Sequence, residues 1–303
     1  MTISKSRYLN FCQCQKRLWM DENKKQEAIY SDATQSRFAE GHEVGSLAQG
    51  LFGDFIDVTT RNPDGTLDHS AMIKKTKDCM DAKEQNICEA AFTTNELYCA
   101  IDILHLGSEG YEVYEVKSST EIKDYYYIDL TFQKKVFEKL GIQIAGYYLV
   151  YINNQYVKSG DIDLKKLFVI EKVTSDKLEK YEKEFDKNIK DAENIILEKN
   201  EPDTDLSRKC DKPFVCPYID YCKKYKKIPN TSVFDVYGLR KYDYYEIGVV
   251  TYDDLLKSNK FIKAKKGSNK EIQNKQIDTH LNDKPDYIDK KKIKEKLESY
   301  IYA

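Results

Sequence analysis

The stretch "ELYCAIDILHLGSEGYEVYEVKS", residues 96–118, contains two strand-like runs joined by a short turn. Two glycines lie in that turn, and glycine is favoured where a hairpin needs a left-handed backbone. If the hairpin folds near residue 108, positions whose numbers sum to about 216 or 217 lie opposite each other. The sequence therefore predicts a β-hairpin in which Asp102 lies beside either Tyr114 or Glu115.

The segments around the hairpin continue an alternating pattern of strands and helices. Strands are predicted over residues 86–92, 96–104, 111–118 and 142–152, with a helix over 124–141 that ends at Gly141. Further helices are predicted over 7–20 behind a Ser4 or Ser6 cap, over 32–51, and as one long exposed helix over 173–199. The central order is αβββαβ, so the predicted fold class is α/β.

The hairpin also brings chemically useful side chains together. Directly opposed strand residues have Cβ atoms roughly 4.5–5.5 Å apart, so Asp102 and Glu115 can share one divalent cation. Lys117 shares a face with Glu115 because side chains two apart on a strand do so. This combination suits Mg²⁺- or Mn²⁺-assisted hydrolysis of a phosphodiester, with the lysine positioning the attacking water. On spacing alone, a surface acid beside a Glu–Lys pair on an edge strand is an equal alternative.

Three of the eight cysteines form a regular series at Cys210, Cys216 and Cys222. Zinc sites prefer gaps of two to four residues between ligands, whereas these gaps are five, which favours an iron–sulfur cluster over zinc. Either site needs a fourth thiolate, and its predicted role is structural. Single cysteines on helix- or strand-like segments are expected in the hydrophobic core; these are Cys79, Cys88 and Cys99.

The composition indicates a globular protein without a membrane-spanning segment. The chain has 303 residues, of which 41% are hydrophobic, and a net charge of −2, so it has no global basic field for nucleic acid. No run approaches the roughly 18 apolar residues of a membrane span, and the start "MTISKSRYLN" lacks an apolar signal core. A cytoplasmic location with reduced thiols is therefore expected.

These motifs resemble those of the PD-(D/E)XK nuclease superfamily, in particular its RecB-like branch. The matching stretches are "AIDIL", "YEVKSS" and "DLTFQKKVF", and the αβββαβ order is also that of the superfamily's restriction-endonuclease-like core. The resemblance implies that Asp102 and Glu115 are metal ligands and that Lys117 is the catalytic lysine. It also implies that Gln133 closes the site from the helix.

The resemblance extends to members that carry a four-cysteine [4Fe–4S] cluster, such as CRISPR-adaptation exonucleases and AddB-type helicase–nucleases. In these proteins one cysteine precedes the nuclease core and three follow it. The stretch "CQKRLWM" resembles the leading motif, which implies Cys14 as the fourth ligand, with Cys12 as the alternative.

Two positions depart from the family pattern. Ile101 stands where a proline usually precedes the first acid, and Gly45 stands where the upstream histidine is expected. Three nearby residues are further candidates on the metal side of the site: His42, Glu43 and Glu89.

The predicted organisation has four parts. They are N-terminal helices over 1–60, a nuclease core over 61–172, a helix and cysteine segment over 173–228, and a small helical region over 229–303. The likeness covers residues 4 to 227 and is closest to a bacterial group in which a DnaQ-like exonuclease domain follows, so a longer native chain is expected.

The predicted function is a metal-dependent deoxyribonuclease acting on DNA single strands or ends, with a helicase or another repair or defence protein as a possible partner. One alternative is a catalytically inactive nucleic-acid-binding or scaffold module with the same fold. The other is a zinc-stapled protein-interaction domain.

Overall fold

A computed structural model describes residues 2–263, 268–285, 288 and 290–301. The chain forms two compact units. The first consists of Met1–Thr204 and Lys212–Tyr218, and the second of Asp205–Asp211 and Ile219–Ala303.

The first unit is built on a mixed sheet of seven strands within the described residues. The strands are β1 (Ile3–Ser4), β2 (Ile56–Asp57), β3 (Asn86–Thr93), β4 (Leu97–Gly107), β5 (Gly110–Lys117), β6 (Gly146–Ile152) and β7 (Phe168–Lys172). Their order is β2-β3-β4-β5-β6-β7, and β1 pairs with β4. Strands β3, β4 and β5 form an antiparallel meander, whereas β6 runs parallel to β5 and therefore needs a helical crossover between them.

Helices of the first unit surround this sheet. They are α1 (Lys5–Gln13), α2 (Gln15–Asn23), α3 (Asp32–Ala48), α4 (His69–Asp81), α5 (Tyr126–Leu140), α6 (Leu164–Leu167), α7 (Ser175–Glu182) and α8 (Phe185–Leu197), with 3₁₀ turns at Lys25–Glu27 and Gln49–Phe52. Ser4 caps α1 by accepting a hydrogen bond from the backbone N–H of Arg7. The sequence predicted either Ser4 or Ser6 as this cap. Gly141 ends α5 in the left-handed conformation, as the sequence predicts.

The sheet separates two hydrophobic clusters. Val113 and Tyr114 are neighbours on β5 and therefore point to opposite faces. Val113 belongs to the larger cluster, which also contains buried side chains of α1, α5 and α8. Tyr114 belongs to the smaller cluster, which includes Ala48 at the end of α3. Helices thus cover both faces, and the α/β class predicted from the sequence is confirmed.

Two of the helix predictions are wrong in extent. The predicted helix over 7–20 is interrupted at Cys14, whose backbone is extended between α1 and α2. The predicted long helix over 173–199 is two helices, and it is not exposed on all sides, since Phe185 and Ile189 are buried. Apolar residues at helical spacing give α8 a buried face, which its many lysines and glutamates obscure in the composition.

The second unit is helical in its described part. Its helices are α9 (Ile219–Tyr225), α10 (Lys241–Tyr245), α11 (Tyr252–Lys257), α12 (Asn259–Ile262), α13 (Ser268–Leu281) and α14 (Lys290–Ile301), with 3₁₀ turns at Arg208–Cys210 and Val233–Asp235. Val233 and Leu255 lie at 0% exposure in its own hydrophobic cluster. Across both units, no described helix is long and apolar enough to cross a membrane.

The packing of α5 against the sheet makes a prediction about stability. Phe132 is fully buried, with its ring 5.4 Å from that of Tyr8 and 5.8 Å from that of Phe185. We expect Phe132→Ala to lower the free energy of unfolding by about 3–5 kcal/mol, because it removes buried surface and leaves a cavity. Leu140→Ala at the exposed end of the same helix is the control, with an expected loss below about 1 kcal/mol. Equal losses in urea denaturation would contradict this packing.

Candidate active site

Strands β4 and β5 separate where their two acids lie. The last pair in their ladder is Ile103 with Tyr114, so the next positions on the two strands are Asp102 and Glu115. The sequence left two registers open. In the structure, the numbers of paired positions sum to 217, so Asp102 lies beside Glu115 and not beside Tyr114. Here Asp102 Oδ2 accepts the backbone N–H of Val116 at 2.7 Å, while β5 continues its pairing with β6. We call this point the strand fork.

Glu115 is the most heavily bonded side chain at the strand fork. Its side chain is 3% exposed, and the ammonium group of Lys5 donates to both of its oxygens at 3.0 Å. Lys117 Nζ donates to Oε1 at 2.8 Å, and Gln133 Nε2 donates to Oε2. A carboxylate has about four acceptor positions, so these four contacts occupy all of them.

Helix α5 supplies two side chains that hold this arrangement. Asp129 and Gln133 are four residues apart, which places them one above the other on the same face of the helix. Asp129 Oδ2 accepts from the ammonium group of Lys117, which therefore bridges Asp129 and Glu115. The ring of Tyr126 lies under the same ammonium, 5.0 Å from its centroid. Lys117 is thus fixed by charge on two sides and by an aromatic face on a third.

The structure brings together four residues predicted for the site: Asp102, Glu115, Lys117 and Gln133. It also adds Lys5 and Asp129, which the sequence did not suggest. The sequence did contain a signal for Asp129, because a second polar residue one turn before Gln133 is unusual on a buried helix face. Lys5 had none, since it lies 110 residues from Glu115 in the sequence.

Charge and burial shift the pKa values of these groups. Burial, together with the charge of Glu115, raises the pKa of Asp102 above its ordinary value. Burial alone would also raise the pKa of Glu115, but the ammonium groups of Lys117 and Lys5 outweigh it and lower that pKa. Burial would lower the pKa of both lysines, but the surrounding carboxylates outweigh it and raise both. The negative charge of Glu115 is therefore well compensated by the two lysines, whereas the charge of Asp102 is compensated less.

Glu89 lies next to Asp102 on β3. It falls between the paired positions Cys88 with Ile103 and Ala90 with Ile101, so it is opposite Asp102. Its backbone has φ of 57°, a left-handed conformation that is uncommon for a residue other than glycine and is enriched at functional sites. Burial, and then the charge of Asp57, raises the pKa of its carboxyl group. Carboxylates on three adjacent strands therefore lie at one level of the sheet.

Helix α3 carries the remaining metal-side candidates. The side chains of His42 and Glu43 are exposed to solvent. A Cβ added at Gly45, where the family pattern expects histidine, would meet no atom within 4 Å. Packing therefore does not require glycine at this position.

The residues at the strand fork fit a divalent cation in charge and in donor type. Four acids surround two lysines, leaving two uncompensated negative charges when all are ionised; the acids are Glu89, Asp102, Glu115 and Asp129. Two of the strand fork's buried oxygens, Asp129 Oδ1 and Gln133 Oε1, have no hydrogen-bond partner among the described residues. No group of three His, Cys, Asp or Glu side chains in the described ranges stands in a metal-holding arrangement. The lysine contacts occupy the Glu115 oxygens that a metal would use.

The cysteines fall into three groups. Cys79, Cys88 and Cys99 are buried, which confirms the predicted core positions. In the first unit, Cys14 lies between α1 and α2, Cys12 packs against the larger hydrophobic cluster, and Cys216 is buried in the 212–218 segment. In the second unit, Cys210 and Cys222 both pack against that unit's hydrophobic cluster.

The 212–218 segment is held against α1 and α2 by hydrogen bonds. Gln13 Nε2 donates to the carbonyl of Phe214 at 2.7 Å, and the hydroxyl of Tyr218 donates to Asp21 at 2.7 Å. The segment is therefore a fixed part of the first unit, although α8 and further residues separate it from the sheet in the sequence.

No protein-family model matches this chain, and comparison with curated proteins gives no significant match.

The ion pair between Lys117 and Asp129 makes a testable prediction. Lys117→Met removes a cation from two buried carboxylates, so we expect the free energy of unfolding to fall by about 3–5 kcal/mol. In the Lys117→Met background, Asp129 has lost its lysine partner. Adding Asp129→Asn removes this negative charge, so the double variant should regain part of the lost stability. Urea denaturation of the two single variants and the double variant completes the cycle. Strictly additive losses would show that the two side chains are not coupled.

Proposed function

We propose that the protein is a divalent-metal-dependent deoxyribonuclease with a restriction-endonuclease-like core. The observation that carries this proposal is the convergence of Asp102, Glu115, Lys117 and Gln133 at the strand fork. Two acids and a lysine inside a sheet are costly to bury, and a catalytic metal site explains their presence.

The topology supports the proposed core. The meander of β3, β4 and β5, the crossover helix α5 and the parallel strand β6 follow the αβββαβ order of the PD-(D/E)XK superfamily. The acids lie on the two middle strands of this order, and the glutamine lies on the crossover helix. This is the placement that the resemblance implies.

Each residue has a distinct part in the proposed reaction. Asp102 and Glu115 would hold the metal, with Glu89 as a further ligand, and the bound metal would polarise the phosphate and lower the pKa of a water molecule. Lys117 is placed to position the water and to stabilise the negative charge that develops on the phosphate. Gln133 orients Glu115 by its hydrogen bond, and Asp129 fixes Lys117.

The substrate and partner assignments depend on the resemblance. It favours DNA single strands or ends as substrate, and a helicase or another repair or defence protein as partner. The [4Fe–4S] cluster likewise stays a prediction from the cysteine spacing and the resemblance, with Cys14, Cys210, Cys216 and Cys222 as its ligands and zinc as the alternative metal.

One observation favours a second function, that of an inactive nucleic-acid-binding module. Lys5 and Lys117 together satisfy the charge of Glu115 without a metal ion. A site that has lost catalysis can keep its fold through such ion pairs. Binding of DNA without cleavage in the presence of Mn²⁺ would select this alternative.

The nuclease proposal predicts a specific loss of activity. Labelled single-stranded DNA should be degraded with Mn²⁺, and Asp102→Asn or Lys117→Ala should slow cleavage at least about 100-fold. Lys172→Ala, an exposed lysine on β7 of the same sheet, is the matched control and should leave the rate unchanged. Cleavage that survives both substitutions at the strand fork would exclude it as the active site.

The cluster prediction is tested separately from catalysis. Protein purified without oxygen should contain iron and acid-labile sulfide and should show the visible absorbance of thiolate-bound iron. We expect Cys14→Ala to remove this absorbance and Cys12→Ala to preserve it. The reverse result would make Cys12 the ligand, and zinc without iron would select the alternative metal.

A further inference from the structure

Lys5 occupies the position on Glu115 where a cation would be bound by both oxygens. Its ammonium nitrogen lies 3.0 Å from each carboxylate oxygen. The main chain leading to it is fixed, because β1 pairs with β4 at Ile3 and Ser4 caps α1 directly before Lys5. The lysine therefore reaches the strand fork from a rigid anchor through a flexible side chain.

A metal cannot join Glu115 while all of its acceptor positions are in use. One of the three donors must leave, and they are not equally free to do so. Gln133 is 0% exposed on α5, and Lys117 is held by Asp129 as well as by Glu115. Both hydrogen bonds of Lys5 go to Glu115. Lys5 is thus the donor that can move with the fewest broken contacts.

Two buried acceptors without a described donor also lie at the strand fork. Asp129 Oδ1 and Gln133 Oε1 are buried, and within the described residues neither accepts a hydrogen bond. Both atoms are hydrogen-bond acceptors: Asp129 Oδ1 is a carboxylate oxygen, and Gln133 Oε1 is the amide oxygen, because the amide nitrogen donates to Glu115. The charges of Glu115 and Asp129 both act on Lys5 and raise its pKa against the effect of burial. Buried acceptors without donors are unfavourable, so a cation that moves to them is stabilised.

We propose that Lys5 is a displaceable counter-ion that neutralises Glu115 when no metal is bound and moves to Asp129 Oδ1 and Gln133 Oε1 when a divalent metal binds. This inference rests on the proposed function through metal binding at Glu115. It makes Lys5 a competitor of the metal and, at the same time, a stabiliser of the metal-free protein.

These two roles predict effects of opposite sign. Lys5→Met keeps the aliphatic side chain but removes the charge, so the metal-free protein should lose stability because Glu115 loses a partner. The same variant should bind Mn²⁺ at least about tenfold more tightly, because the competing cation is gone. A lysine with a purely structural role would lower stability and metal affinity together.

The nature of the competition is tested by Lys5→Arg. An arginine pairs with a carboxylate through two parallel hydrogen bonds and is harder to displace than a lysine. Mn²⁺ binding to this variant should therefore be weaker than to the wild type. If Lys5 acted only through its charge at a distance, lysine and arginine would give equal affinities, and displacement would be excluded.

The measurement is Mn²⁺ binding by titration calorimetry and by the electron paramagnetic resonance signal of free Mn²⁺, with urea denaturation of the metal-free protein alongside. Arg7→Met is the matched control, because Arg7 lies on the same helix but pairs with Glu22. Glu115→Gln should abolish tight binding and so identifies the site.

The outcomes separate this inference from the proposed function. The inference is supported if Lys5→Met binds Mn²⁺ more tightly than the wild type while Arg7→Met binds it equally. It is also supported if Lys5→Met binds Mn²⁺ and the wild type does not. Equal affinities of wild type and Lys5→Met, both lost in Glu115→Gln, overturn the inference and leave the metal site standing. If neither wild type nor Lys5→Met binds Mn²⁺, the metal site and the inference are both overturned.

Discussion

The buried negative charge of Glu115 is the constraint around which the first unit is arranged. A carboxylate at 3% exposure in an apolar sheet is stable only with charged or hydrogen-bonding partners. Its partners come from three separate parts of the chain: Lys5 at the start of α1, Lys117 on its own strand and Gln133 on α5. Partners for this one group therefore come from the N-terminal helix, the hairpin and the crossover helix together.

The strand fork is also where the sheet departs from regular geometry. The ladder between β4 and β5 ends at Ile103, and the side chain of Asp102 takes over a backbone N–H at that point. On the neighbouring strand, Glu89 has a left-handed backbone directly opposite Asp102. Broken pairing and backbone strain both cost stability, and here both coincide with the cluster of acids.

The charges at the strand fork are only partly balanced within the protein. Two lysines compensate Glu115 and Asp129 closely, whereas Asp102 and Glu89 have raised pKa values because burial and neighbouring acids act on them. The strand fork therefore keeps a net negative charge beyond what its two lysines compensate. Under the proposed function, a divalent metal would have to compete with these ion pairs for Glu115.

Local sequence determined the strands β3 to β6, the helix α5 with its Gly141 stop, and the convergence of Asp102 with Glu115 and Lys117, because alternation and turn residues act over a few positions. It left the hairpin register open by one residue, and it did not indicate the break of the first helix at Cys14. Tertiary structure alone decided that Lys5 joins Glu115, since pairing of β1 with β4 brings together residues 110 apart in the sequence. Such a contact has no local pattern to predict it, because it arises from the charge that Glu115 carries into the core.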